Sequence, residues 1–264
     1  MDTSKRIRTL GFVVDVTKMA AAVKDLLHAP AGVRPLTVAF ANVHMAMLHN
    51  REAKFRNCIS GFNRVFTDGA PLVWCASTAG AGSASRIPGP DFMIELCKAG
   101  VPLGRRHYFL GGAPGVAEQA AVRLQERFPG LQIAGFMSPP FRQLSTEEDE
   151  QLCSTINATE PDYVWVGLGC PKQEIWIAEH QDLISARALL GVGQAFNLAA
   201  GTQRRAPAML RRAGLEWAYR MACEPRRLAG RYISTNTEFV LCSLWHLFSG
   251  RKLATVTAPA EDCK

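Results

Sequence analysis

The chain has 264 residues, of which 48% are hydrophobic and 20% charged, which suits one full core with an appendage and excludes a disordered chain or a coiled coil. The net charge of +7 is unevenly placed: residues 1–200 carry 19 basic and 18 acidic side chains, whereas residues 201–264 carry 11 basic and 5 acidic. A nearly neutral body with a cationic last quarter wants an anionic partner for that quarter, be it nucleic acid, a membrane surface or a phosphorylated ligand.

In chain order, Leu10–Val14 is predicted as a strand and Thr17–His28 as a helix with one apolar face. Leu36–Phe40 follows as a strand, with a helix from about Val43. Arg64–Thr67 is a short strand whose Asp68-Gly69 turn leads into a helix through Cys75, and Gly89–Lys98 is helical. Strands at His107–Leu110, Leu131–Phe136, Tyr163–Gly167 and Ala188–Val192 alternate with helices at Val116–Arg127, Thr146–Asn157 and Pro171–His180. The start of the Thr146 helix is strong, because Ser145 can cap it and acidic side chains favour the positive end of its dipole. This alternation predicts an α/β fold with a mostly parallel sheet over residues 1–201. After Gly201 only helices are predicted (Arg204–Arg212, Leu215–Cys223, Pro225–Arg231, Asn236–Phe248), giving a basic helical appendage over 202–250 and a disordered end over 251–264.

Eight cysteines form no C-x-x-C pair, and Met1–Arg8 is polar and basic, so a reduced cytosolic setting is expected. The six histidines lack H-x-x-x-H or H-E-x-x-H spacing, so no metal site is expected. The longest apolar run, Phe239–Phe248, is too short to cross a bilayer but can lie on one or in a core.

In open α/β sheets, ligands sit beyond the C-terminal strand ends, so the strand-to-helix turns hold the candidate residues. Asn42 either caps a helix or touches a ligand. Asp68 is a turn former or a carboxylate base at the mouth of the crevice. Gly111 and Gly112 allow close approach of a ligand, and so does Gly169 in the turn GLGCPKQE, where Lys172 and Gln173 fall in the first helical turn beside any bound anion. No G-x-G-x-x-G follows the first strand, which argues against a dinucleotide-dependent oxidoreductase. No helix-turn-helix or RNP signature accompanies the basic tail, which argues against nucleic-acid binding.

The stretches TDG (67–69), SRIPGPD (85–91), YFLGGAPGVAEQAA (108–121), RFPGLQIAGF (127–136), PDYVWVGLGCPKQEIWI (161–177), GVGQAFNLAAGTQRRAP (191–207) and LEWAYRMACEPRRLAGRY (215–232) stand in an ordered series. In these the chain resembles the WecG/TagA/CpsF family of bacterial glycosyltransferases. The resemblance implies a single Rossmann-like α/β domain with a C-terminal helical appendage that targets the membrane. It also implies an inverting, metal-independent transfer of a sugar from a UDP-sugar, a substrate rather than a cofactor, to a saccharide on a polyprenyl diphosphate at the inner face of the cytoplasmic membrane. The products of such enzymes feed exopolysaccharides or wall polymers, and relatives suggest self-association. By the same resemblance Asp68 is the base, Asn42 contacts the sugar or orients the base, and Arg86 and Gln173 line the pocket. Gly111, Gly112, Gly169, Lys172, Gln173, Gly193 and Asn197 fall on the donor side, and Arg220, Arg227 and Arg231 close over the lipid diphosphate or the nucleotide. Three positions depart from the family pattern: Phe40 replaces Thr, Ser85 replaces Glu and Asn197 replaces Asp. These leave the donor open, with glucose or glucuronic acid as alternatives to N-acetylmannosamine.

Overall fold

The computed structural model describes residues 4–31, 34–80 and 85–257. The chain runs β1 (Lys5–Thr9), β2 (Phe12–Val16), α1 (Met19–Leu27), β3 (Leu36–Ala41), α2 (Val43–Arg51), α3 (Ala53–Ser60), β4 (Arg64–Thr67), α4 (Ala70–Ser77) and α5 (Gly89–Gly100). It continues through β5 (Arg106–Gly111), α6 (Val116–Arg127), β6 (Gln132–Met137), α7 (Thr146–Ala158), β7 (Tyr163–Gly167), α8 (Lys172–His180), β8 (Ala188–Gly191) and α9 (Ala195–Ala199). The last quarter forms α10 (Ala208–Arg212), α11 (Glu216–Cys223), α12 (Pro225–Phe248) and β9 (Ala254–Val256).

The strands form a single sheet in the order β6-β5-β7-β8-β3-β4-β2-β1-β9. Pairing is parallel from β6 through β2, and antiparallel where β1 meets β2 and β9. Alternate residues of each buried strand serve opposite faces, as the two-residue period of a strand requires. On β7, Val164 and Val166 join one core layer, whereas Tyr163 and Trp165 join the other. One layer packs against α2, α3, α4, α7 and α8, and the other against α1, α5, α6 and α9. This is the expected mostly parallel, doubly covered α/β architecture.

Three elements differ from the sequence expectation. Leu10 lies in the turn of a β1–β2 hairpin, not in a strand; Leu10 and Gly11 both have positive φ (47° and 88°), the signature of a turn that matches strand twist. The two helices predicted over 225–231 and 236–248 are one helix of 24 residues, α12, since nothing between them breaks the ladder. The end expected to be disordered from residue 251 carries β9, which pairs with β1 and buries Ala254; residues 258–264 lie outside the described residues. The appendage therefore returns to the sheet. Its helix α12 packs along α2, with Leu228, Thr235 and Phe239 buried.

Candidate active site

The turns after β3, β4, β7 and β8 meet at the C-terminal edge of the sheet, where an open α/β fold places its ligands. The β4 turn is pinned to β3, because the amides of Asp68 and Gly69 both donate to the Ala41 carbonyl, at 2.8 and 3.0 Å. A Cβ on Gly69 would come within 3.1 Å of the Asn42 Cα, so the close approach of the two turns needs glycine there. Asn42 caps α2: its Oδ1 accepts from the Met45 amide at 3.2 Å.

The loop before α5 brings Arg86 onto this turn. It is tied down by Ser85 Oγ donating to the Thr17 carbonyl (2.7 Å), Thr67 Oγ1 donating to the Ser85 carbonyl (3.1 Å) and the Ile87 amide donating to the Thr67 carbonyl (2.7 Å). Arg86 Nε donates to the Asp68 carbonyl at 2.5 Å, and Nη2 reaches the Asp68 carboxylate at 3.5 Å. Nη2 also donates to Glu216 of α11, and Nη1 to the Arg211 carbonyl at 3.3 Å. The Asp68 side chain keeps 26% of its surface open. Lost hydration raises its pKa from the ordinary 3.8 to about 6; Arg86 and Arg220 oppose the rise and Glu216 adds to it.

The glycine turns after β5, β7 and β8 are held to one another. Gln173 is buried, and its Oε1 accepts from the amides of Gly169 (3.1 Å) and Gly193 (2.9 Å). The Gly112 amide donates to the Gly167 carbonyl at 3.1 Å, and a Cβ on Gly111 would strike the Gly167 backbone at 2.6 Å. The amides of Gly112, Gly169 and Gly193 are bound within the protein, and Gln173 and these glycines lock the β5, β7 and β8 turns together. Lys172 stays exposed at the start of α8.

Behind Gln173 lies Glu174, fully buried at the end of the same GLGCPKQE turn. Its Oε1 accepts from Gln173 Nε2 at 2.7 Å. Burial raises its pKa from 4.5 to about 7, partly opposed by Gln173 and Cys170. The unfolded chain releases this proton near the ordinary value, so stability falls as pH rises from about 4.5 through 7. Glu174→Gln should accordingly raise stability at pH 8 by up to about 3 kcal/mol and leave it nearly unchanged at pH 4, as read by urea unfolding.

The appendage closes the site from the other side. Arg220 of α11 donates to Gln194 Oε1 in the β8–α9 turn. Arg205 grips Asp91 of α5 with two nitrogens, at 2.5 and 2.7 Å, and lies 3.9 Å from Glu216. Arg231 of α12 stands near His44; burial, Arg231 and then Arg51 hold that imidazole down at about 4. Arg227 pairs with Glu224 on the rim of a cleft of about 650 Å³, which Gln194, Asn197, Gln203 and Tyr219 also line. Asp68, Arg86 and Arg220 are thus brought together, Arg231 sits at the Asn42–His44 end, and Asn197 and Arg227 share the neighbouring cleft.

The sequence model of the glycosyl transferase WecG/TagA/CpsF family matches residues 7–253. The chain belongs to this family. Relatives named N-acetylglucosaminyldiphosphoundecaprenol N-acetyl-beta-D-mannosaminyltransferase, from Staphylococcus aureus strains MRSA252 and NCTC 8325, are each 28% identical to it over 228 residues, 84% of this chain and 87% of theirs.

The three departures from the WecG/TagA/CpsF pattern fall in different environments. Phe40 is buried in an aromatic cluster with Phe66 and Phe92, at ring distances of 6.0 and 5.2 Å, so it packs under α5 and does not line the crevice. Ser85 holds the Arg86 loop to Thr17. Asn197 lines the cleft beside the appendage. Among the described residues no group of three or more His, Cys, Asp or Glu side chains could hold a metal ion, and no helix is long and apolar enough to cross a membrane.

Proposed function

We propose that this glycosyltransferase moves a sugar from a UDP-sugar to a saccharide on a polyprenyl diphosphate, with inversion and without a bound metal. The observation that carries this reading is the Asp68–Arg86 pair at the strand-end crevice, roofed by an appendage that supplies Arg220 and Arg231. The acceptor class rests on the names of the Staphylococcus aureus relatives, and the UDP-sugar donor on the family resemblance. In the reaction the Asp68 carboxylate takes the proton of the acceptor hydroxyl as its oxygen bonds to the anomeric carbon. The bond from that carbon to the UDP oxygen breaks, and UDP leaves with the electron pair. Arginines suit the growing charge, since their planar fork of donors matches phosphate and stays cationic.

The appendage also supports a place on the inner face of the cytoplasmic membrane. Ile233, Val240, Leu244 and Leu247 recur at helical spacing on the exposed side of α12, beside Trp245 and Phe248. An apolar stripe within a cationic segment suits an anionic interface.

A panel of UDP-hexoses and UDP-uronic acids, incubated with a short-chain polyprenyl-diphosphate saccharide and EDTA, tests the proposal. UDP release that requires both the acceptor and one of the donors, and that survives EDTA, is the expected outcome. No acceptor-dependent release from any donor would refute the substrate classes, and loss with EDTA would refute metal independence.

A further inference from the structure

Every arm of the Arg86 guanidinium is engaged, and the appendage takes two of them. Nε is held by the Asp68 main chain, Nη1 by the Arg211 carbonyl and Nη2 by the Glu216 carboxylate. The Asp68 carboxylate receives only the long 3.5 Å approach from Nη2. Arginine frequently closes on a carboxylate with two parallel hydrogen bonds, and here the Glu216 carboxylate takes the arm that also approaches Asp68. Glu216 stands in the first turn of α11, outside the sheet, and Arg205 near it is anchored to Asp91 of α5.

We propose that Glu216 is a positioning residue of the active site: seated by the appendage, it draws the Arg86 fork off Asp68 and leaves the Asp68 carboxylate free for the acceptor hydroxyl. With the appendage displaced, Arg86 closes on Asp68 and masks it, so the base is competent only in the docked enzyme. The consequence for catalysis rests on the reading of Asp68 as the base; the contest for Arg86 does not. The charged groups facing Asp68 are Arg86 from the loop before α5 and Glu216 and Arg220 from α11. Glu216 is the only anion of the three, so its removal and the release of Arg86 act in the same direction, both favouring the ionised carboxylate.

The test is a pH titration of the Asp68 side-chain carboxyl ¹³C resonance in the full chain, assigned by its loss in Asp68→Asn. In Glu216→Gln the midpoint should fall by at least half a pH unit, and in Glu216→Asp, which keeps the charge, it should return toward the native value. The acid limb of kcat/KM for transfer should move down with it, with a several-fold lower plateau, because a weaker base remains. Loss of the Glu216 charge lowers the midpoint even if Arg86 stays in place, so Glu216→Gln is repeated in an Arg86→Gln background: the fall should be much smaller there, and an equal fall in both backgrounds, or an unmoved midpoint, overturns the proposal. A shifted midpoint together with undiminished transfer by Asp68→Asn would instead overturn the base assignment alone.

Discussion

Asp68→Asn should lower kcat for transfer by about 10²- to 10⁴-fold while UDP affinity changes little, because the amide keeps the shape of the turn but cannot take a proton. The turn itself does not depend on the carboxyl group: the Asp68 and Gly69 amides hold it to Ala41, and Arg86 Nε binds the Asp68 carbonyl. Loss of hydration places the native group at about 6, so kcat/KM should climb with pH to a plateau above that value. A carboxylate at its ordinary 3.8 would be a poorer acceptor of a hydroxyl proton, and one held much higher would be protonated at neutral pH. Stopped transfer assays from pH 5 to 8, alongside UDP titrations by calorimetry, check both parts. Near-native turnover by Asp68→Asn would remove Asp68 from the chemistry.

The double change Trp245→Glu and Phe248→Glu should weaken binding to anionic vesicles by about 10²-fold or more, since each aromatic ring withdrawn from an interface forfeits about 1.5–3 kcal/mol. Both rings are more than half exposed, Phe248 at 88%, so the fold should survive their replacement. Deleting the last quarter would be a poor substitute. It would strip β9 from the sheet and Phe239 and Ala254 from the core, and loss of activity would then report unfolding. Cosedimentation with vesicles rich in acidic phospholipid reads the affinity. Unchanged binding by the double variant would contradict a membrane role for α12.

The sheet was legible because short apolar runs alternate with helical periodicity, and the residues at the strand ends followed from that placement. Asp68 and the start of α2 at Asn42 needed no more than this, whereas Arg86, in the loop before α5, came only with the family resemblance. The hairpin turn was hidden by Leu10, an apolar residue that reads as strand until Gly11 and its positive φ are seen. Gln173 was placed beside the crevice because it falls in the first helical turn after a glycine-rich strand end, and by the family resemblance; its burial shows only when the β8 turn, through Gly193, meets its own β7 turn around it. Glu216 gave no signal at all. Its partners Arg86 and Arg205 lie 130 and 11 positions away, and only the docking of α11 brings all three together. Interactions set by local spacing can be read from a sequence, whereas a contest between two carboxylates for one guanidinium is a property of the assembled fold.

In the proposed reaction Asp68 activates the acceptor hydroxyl for a single displacement at the anomeric carbon. The anomeric configuration of the freshly formed product, read from the one-bond ¹³C–¹H coupling at its anomeric carbon, tests this most directly. An α-linked UDP-sugar should yield a β-linked product in one step. An α-linked product would mean retention, by a covalent sugar–enzyme intermediate or by same-face attack, and would exclude the single displacement by a hydroxyl that Asp68 activates.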